Sequence, residues 1–218
     1  MQVHRFTVGV FQVNTWLITD PDTGHSAIVD TGESTELLDR LRPLKPDVRK
    51  IFLTHTHLDH AGALVWLQEQ WPDAVTVMPR ADRPLFETLP HQGTMFGMPQ
   101  LDRPCGRIDR EIDDGDEVTL GSLKLRFLST PGHTPGQGCF YGYGHIFVGD
   151  TLFAGSIGRT DFPLSDPSLM PGSLRRLTAL PGELVVHSGH GPDTTIAAEL
   201  ATNPFLSFLR KERQLRQS

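Results

Sequence analysis

The sequence has little cysteine, no long apolar run and no excess of positive charge. Cys105 and Cys139 are its only cysteines among 218 residues. They form no C-x-x-C pair, so we expect no disulfide framework and a reducing compartment. No stretch approaches the length needed to cross a bilayer, and the first residues lack the apolar core of a signal peptide. These absences favour a soluble cytoplasmic protein with no membrane partner.

The charge balance argues against a nucleic-acid partner. Asp and Glu number 26 against 20 Lys and Arg, which gives a net charge of −6, whereas proteins that bind a phosphate backbone show a basic footprint. Basic residues do gather in the C-terminal run 210–216, which a solvated helix end explains. With 38% hydrophobic and 21% charged residues, the chain has the composition of a globular protein. Its length suits one domain over residues 1–218.

One short stretch is dense in residue types that bind metal ions. His55, His57, Asp59 and His60 fall within six positions, directly after the apolar strand-like run 51–53. Imidazole nitrogen and carboxylate oxygen are ligands for zinc and neighbouring metals. Four such side chains exceed what one tetrahedral ion easily collects from a single loop, so the stretch predicts two metal ions close together. The alternative, a solvated polar loop, explains so dense a cluster poorly.

Three further candidate ligands follow apolar strand-like runs later in the chain, namely His133, Asp150 and His190. Strand ends that all deliver nitrogen and oxygen ligands are expected to converge on one edge of a sheet sandwich. The expected ligand sets are His55, His57 and His133 for one ion, Asp59, His60 and His190 for the other, and Asp150 as the bridge between them.

This arrangement predicts a catalytic rather than a structural metal site. Each ion keeps an open coordination position, as catalytic sites do. Two divalent ions less two aspartates leave about two positive charges, which lower the pKa of a bridging water from about 15.7 toward 7. Hydroxide is then available at neutral pH. We expect zinc, although mixed nitrogen and oxygen ligands also accept iron and manganese.

These motifs resemble those of the metallo-β-lactamase superfamily. The run 54–62 is similar to its H-x-H-x-D-H motif, and the later motifs at 131–136, 149–153, 158–161 and 189–192 occur in the same order. The likeness is strongest to glyoxalase II and its short bacterial relatives. It implies an α/β fold of the four-layer αββα sandwich type, with a binuclear site on one edge of the sandwich and the same seven ligands.

The resemblance also implies hydrolysis of S-D-lactoylglutathione or a related small-molecule thioester to a carboxylic acid and a thiol. A thiol has a pKa near 8.5, so the leaving thiolate needs no dedicated general acid. Full-length glyoxalase II carries a C-terminal helical domain with basic residues for the glutathione carboxylate, which this chain is expected to lack. Arg159 falls where the family places a basic substrate contact. A surface salt bridge is the other interpretation of Arg159.

Several other residues have two interpretations each. His187 is expected to be a hydrogen-bonded structural histidine, with support of a metal ligand as the alternative. Asp30 either orients a ligand histidine or stabilises a turn, and Asp161 is expected to fix a loop. The segment 79–104 is either a flap over a pocket or a surface loop. A helix is expected to begin at Asp59 and to continue through Leu67.

The main rival function is that of a persulfide dioxygenase. Such enzymes resemble this chain through the same histidines and the run 158–162, and they hold one iron with the counterparts of His55, His133 and Asp150. The run 189–194 resembles the hydrolase pattern instead. A lactone or β-lactam hydrolase ranks lower, and a nuclease lower still because of the acidic balance. The oligomeric state stays open.

Overall fold

Two six-stranded sheets form the centre of the molecule, which a computed structural model describes over residues 1–215. In the first sheet neighbouring strands follow chain order: β1 (Gln2–Val8), β2 (Val13–Thr19), β3 (His25–Val29), β4 (Asp47–Phe52), β5 (Val75–Pro79) and β6 (Arg110–Ile112). The second sheet has the order β14-β13-β10-β9-β8-β7 and contains β7 (Glu117–Leu120), β8 (Leu123–Ser129), β9 (Gly138–Gly142), β10 (His145–Gly149), β13 (Val185–Ser188) and β14 (Thr194–Thr195).

Both sheets are mixed. In the first sheet β1, β2 and β3 are antiparallel, and β3, β4, β5 and β6 are parallel. In the second sheet β10 and β13 are parallel and the other neighbours are antiparallel. A two-stranded ribbon of β11 (Leu152–Phe153) and β12 (Ser156–Ile157) lies outside them. Parallel neighbours require crossover connections, which place helices on the outer faces.

Eight α-helices are described within residues 1–215: α1 (Glu36–Leu41), α2 (Leu58–Ala61), α3 (Leu64–Gln70), α4 (Arg83–Phe86), α5 (Leu89–Met95), α6 (Met170–Leu177), α7 (Ile196–Thr202) and α8 (Ser207–Leu215). None of the helices in this range is long and apolar enough to span a bilayer. Residues 210–215 of the basic run belong to α8, and Arg216 lies outside the described residues.

Alternation along the strands produces the four layers. In β2, Trp16 and Ile18 belong to the apolar cluster between the sheets, whereas Leu17 belongs to the cluster beneath the outer helices. Between the sheets, Phe52 of β4 stacks on Phe140 of β9 with ring centroids 5.1 Å apart. A third cluster joins the second sheet to α6 and α8. The αββα sandwich is therefore confirmed.

The expected continuous helix from Asp59 through Leu67 is wrong, because the segment forms two helices, α2 and α3. The break follows from a contact with a distant loop, since the Ala63 N–H donates to the Gly32 carbonyl at 2.7 Å. Gly62 lies at the break between the two helices. A side chain does not fit there, because a Cβ at Gly62 would lie 2.5 Å from the Leu58 carbonyl oxygen. The first turn, which carries Asp59, is helical as expected.

The segment 79–104 is more ordered than either interpretation of it supposed, since it contains α4 and α5. Gln92 on α5 is buried, and its side chain accepts the Leu58 N–H at 2.7 Å and donates to the Thr56 carbonyl at 3.2 Å. The surface-loop interpretation is wrong for this part of the chain. A buried amide instead packs α5 against the loop that carries the predicted metal ligands.

Candidate metal centre

All seven predicted ligand side chains meet at one edge of the sandwich, beyond the ends of four strands. They come from the loop after β4 (His55, His57), from α2 (Asp59, His60) and from the loops after β8 (His133), β10 (Asp150) and β13 (His190). Their nitrogen and oxygen atoms form three groups, each with all atoms within 4.8 Å of one another: His55, His57 and His133; His55, His60 and Asp150; and Asp59, His60 and His190.

The first cluster consists of His55, His57 and His133. Nδ1 of His57 lies 2.9 Å from Nε2 of His133. Nδ1 of His133 donates to the Arg159 carbonyl at 2.7 Å, so the Nε2 of a neutral His133 ring presents a lone pair to the cluster. Nε2 of His55 is buried without a hydrogen-bond partner among the described residues. Ring nitrogens that point at one another in this way fit a shared cation.

The protonation states of these rings suit metal binding. Burial lowers the pKa of His55 well below its ordinary value, and neighbouring imidazoles lower it further. Burial and His133 lower the pKa of His57 to about 3. Both rings are therefore neutral at pH 7, and the neutral imidazole is the form that binds a metal.

The second cluster consists of Asp59, His60 and His190. Oδ2 of Asp59 lies 3.2 Å from Nε2 of His190 and 3.6 Å from Nε2 of His60. Nδ1 of His60 lies 2.8 Å from Oδ2 of Asp30, which also accepts the Thr54 hydroxyl at 2.8 Å. Asp30 thus fixes the ring so that Nε2 faces the cluster, as the ligand-orienting interpretation of this residue requires.

Asp150 lies between the two clusters. Its Oδ1 is 3.2 Å from Nε2 of His60, and its Oδ2 is 3.5 Å from Nε2 of His133 and 3.7 Å from Nε2 of His190. Close packing maintains this position, because a Cβ at Gly189 would collide with Oδ1 of Asp150. One carboxylate therefore contacts both clusters, which is the geometry of a bridging ligand.

The electrostatics of the centre favour added positive charge. Burial alone would lower the pKa of His60, but Asp59, Asp150 and Asp30 together raise it well above its ordinary value. Burial alone would raise the pKa of Asp150, but His60 lowers it. Carboxylates that hold a proton on a buried imidazole would hold a divalent cation in the same place. The donor set therefore fits metal ions.

Both clusters open into one cavity of about 360 Å³. Its polar side is made by His57, Asp59, His133 and Asp150, and its walls by Phe11, Leu58, Phe96, Met98, Phe162 and Arg159. The Phe162 ring centroid lies 5.5 Å from that of His57 and 5.5 Å from that of Phe96. Phe96 and Met98 come from the segment 79–104, as the flap interpretation of that segment expected, whereas sequence reasoning did not identify Phe11, Leu58 and Phe162 as site residues.

Arg159 has the features of both of its interpretations. Its guanidinium donates to both oxygens of Asp161 at 2.9 and 2.8 Å, and it lies over the Phe162 ring at 4.4 Å. The ion pair is exposed and joins two residues of the same loop, so the loop-fixing role expected for Asp161 stays a prediction. Because Arg159 also borders the cavity, its salt bridge does not exclude a substrate contact.

The structural interpretation of His187 is confirmed. Its Nε2 lies 2.9 Å from Nδ1 of His145, and its ring centroid lies 4.4 Å from that of Trp16 and 4.9 Å from that of Phe147. His187 belongs to none of the three candidate metal groups found among residues 1–215.

Asn14 is a supporting residue that sequence reasoning missed. It lies on β2 of the first sheet, is 1% exposed, and donates through Nδ2 to the carbonyls of Ser188 at 3.0 Å and Gly191 at 2.8 Å. Its backbone N–H donates to Gly189 at 2.7 Å. The loop that carries His190 is therefore attached to the opposite sheet.

Comparison with known proteins places these features in a family. The model of the metallo-beta-lactamase superfamily matches residues 8–190. Hydroxyacylglutathione hydrolase GloC of Haemophilus influenzae is 37% identical over 212 residues, which cover 95% of this chain and 99% of the relative. The structure of TTHA1623 in a di-iron-bound form is 35% identical with a TM-score of 0.84, covering 94% of this chain and 100% of that one. The B3 metallo-beta-lactamase BLEG-1 is 30% identical with a TM-score of 0.85, covering 94% and 99%.

The chain belongs to the metallo-beta-lactamase superfamily. Its two-sheet sandwich and its clusters of histidine and aspartate at one edge agree with that membership. Within the superfamily it is a metal-dependent hydrolase of the glyoxalase II-like kind.

Proposed function

We propose that the protein is a binuclear hydrolase of a thioester of the S-D-lactoylglutathione type. The observation that carries the proposal is the position of Asp150, which contacts two separate ligand clusters at the floor of one cavity. The name of the Haemophilus influenzae relative, hydroxyacylglutathione hydrolase, supports the thioester as the substrate class. In this proposal the single domain spans residues 1–218, and a cytoplasmic location without a nucleic-acid partner stays a prediction.

The proposed ligands follow the two clusters. One ion is held by His55, His57 and His133, the other by Asp59, His60 and His190, with Asp150 between them. Zinc is the proposed metal, and iron or manganese suits the same donors. The di-iron form of the similar structure supports iron as the first alternative. Two divalent ions bound there would lower the pKa of a shared water and polarise the substrate carbonyl.

The chain supplies orientation and a dry environment for that chemistry. The Arg159 carbonyl fixes the tautomer of His133, and Asp30 fixes that of His60, so the nitrogen that faces the centre is defined in each ring. The aromatic walls at Phe96 and Phe162 would limit the access of water to the reacting carbonyl, which would strengthen the electrostatic interactions there. A leaving thiol with a pKa near 8.5 departs as the thiolate without a proton from a side chain.

The proposal is tested by steady-state hydrolysis of S-D-lactoylglutathione, measured beside simple lactones, a β-lactam and glutathione persulfide, with metal content determined on the same sample. We expect thioester cleavage without oxygen uptake and about two metal ions per chain. Oxygen uptake with the persulfide at one iron per chain would instead identify a dioxygenase. Preferred turnover of a lactone or β-lactam would contradict the thioester assignment.

The ligand roles are tested by His57→Ala and Asp150→Ala. We expect each to reduce turnover by more than the 10- to 100-fold that is typical for loss of a residue that only supports a ligand. The far-UV circular dichroism should stay unchanged. The matched control is His25→Ala, since His25 pairs with Asp47 at the start of β3, away from the centre. Full turnover in either ligand variant with its metal still bound would contradict the assignment.

A further inference from the structure

A buried carboxylate joins the two loops that carry the first cluster. Asp82 ends the 3₁₀ turn Arg80–Asp82 and is 0% exposed. Its Oδ2 accepts the Thr56 N–H at 2.8 Å, and its Oδ1 accepts the Gly136 N–H at 2.5 Å. Thr56 stands between two cluster histidines in the loop after β4, and Gly136 follows the third in the loop after β8. One side chain thus joins ligand loops from both sheets.

The contact between Asp82 and the two loops is tightly packed, and it requires two hydrogen-bond acceptors on the Asp82 side chain. A Cβ at Gly136 would lie 2.5 Å from the Asp82 nitrogen and 2.8 Å from its Oδ1. Both partners at the carboxylate are backbone N–H donors, and the Thr56 hydroxyl adds a third donor at 3.3 Å. An amide in place of the carboxylate would turn one acceptor into an NH₂ donor that faces another donor. The two loops would then separate.

We propose that Asp82 is a positioning residue that sets the spacing of the three imidazoles of the first cluster and so the affinity for the ion they share. The inference rests on the proposed function, in which His55, His57 and His133 hold an ion. Asp82 acts through Thr56 and Gly136.

The second cluster is positioned by other residues, so the effect of Asp82 is selective. Asp30 orients His60, and Asn14 fixes the loop of His190. Loss of the Asp82 carboxylate should therefore weaken one ion of the pair and spare the other.

The chain contains a matched control in Asp20. This carboxylate is also 0% exposed, and it joins the two sheets by accepting the Ser122 N–H at 2.7 Å; within its own turn it accepts the Thr23 hydroxyl at 2.7 Å. It lies in the β2–β3 turn against the β7–β8 turn, at the opposite ends of β3 and β8 from the metal centre. Like Asp82→Asn, Asp20→Asn therefore removes a buried carboxylate that joins the two sheets. It should not change the spacing of the imidazoles in the first cluster.

The experiment is a zinc titration with a competing chelator on the full chain, for wild type, Asp82→Asn and Asp20→Asn, with urea unfolding of the same samples. We expect Asp82→Asn to weaken one of two zinc-binding steps by about 10- to 100-fold and to leave the other within about threefold. Asp20→Asn should lower the unfolding midpoint and leave both steps unchanged. Gly136→Ala, which retains the carboxylate, should weaken the same step as Asp82→Asn and gives the same test if the latter does not fold.

Wild-type affinity at both steps in a folded Asp82→Asn, or in Gly136→Ala if Asp82→Asn does not fold, would overturn the inference. Equal weakening of both steps, or the same weakening in Asp20→Asn, would also overturn it, because a general loss of structure would then explain the result. A wild-type protein that binds a single zinc would contradict the two-ion function instead. The Asp82 inference would then stand if Asp82→Asn weakened that zinc and fail if it did not.

Discussion

His187 should make the stability of the protein depend on pH within a defined window. Its ring packs between Trp16 and Phe147, and Nε2 contacts Nδ1 of His145. Burial lowers the pKa of His187 from 6.5 to about 4, even though the carboxylate of Asp193 opposes the shift. In the unfolded chain the ring has its ordinary pKa near 6.5.

The sign of the effect follows from proton linkage. Above pH 6.5 the ring is neutral in both states, so the free energy of unfolding does not depend on this group. As the pH falls from 6.5 to about 4, the unfolded chain binds a proton that the folded protein excludes, and stability is lost. Because the pKa is lower by about 2.5 in the folded protein, and each unit corresponds to about 1.4 kcal/mol, the loss amounts to about 3 to 4 kcal/mol. Below about pH 4 no further loss comes from His187.

The assay is urea unfolding across this pH range for wild type and His187→Gln at equal metal loading. Glutamine keeps a polar side chain of similar size but does not titrate. Because the metal-centre histidines titrate in both proteins, their contribution cancels in the difference between the two profiles, which reports His187 and its contact with His145. We expect the wild type to lose about 3 to 4 kcal/mol more than the variant on acidification. Parallel profiles would refute the assignment of His187 as a buried neutral ring.

Two predictions concern the cavity. Phe162→Ala should raise KM for a thioester by about 5- to 10-fold in steady-state kinetics, because an aromatic wall worth about 1 to 1.5 kcal/mol of contact is lost; an unchanged KM would place the substrate elsewhere. Arg159→Gln should leave the free energy of unfolding nearly unchanged, because its ion pair with Asp161 is exposed. A raised KM for a glutathione thioester in that variant would show the substrate contact, and an unchanged KM would leave the salt bridge as its role.

The sequence specified the strands and the ligand loops because both are local patterns. Apolar alternation marks each strand, and a histidine or aspartate close behind it needs no knowledge of distant residues. The strands β7 and β8 form a hairpin of this local kind, which turns at Gly121 and Ser122. Since the strand ends meet at one edge of the sandwich, the predicted ligands were brought together by the fold itself.

The interactions that the sequence did not reveal are long-range. Asn14 and Ser188 are 174 positions apart, and Asp82 and Gly136 are 54 apart. No local pattern distinguishes these side chains from ordinary turn residues. The break after α2 has the same origin, because the Ala63 N–H donates to the carbonyl of Gly32 in a distant loop. The spacing of apolar residues marks only the buried face of a helix, and it therefore predicts one continuous helix.

Because Asn14 and Asp82 connect ligand loops across the sheets, metal binding and sheet packing should stabilise each other. An ion that binds only the folded state raises the free energy of unfolding by about 4 kcal/mol at a thousandfold excess over its Kd. Removal of the metal by a chelator should therefore lower stability, as measured by urea unfolding at fixed free zinc. In Asp82→Asn the drop should be smaller by about 1.4 to 2.8 kcal/mol, since one ion is bound 10- to 100-fold more weakly. An equal drop in both proteins would show that the cross-sheet carboxylate supports the fold without influencing the ion.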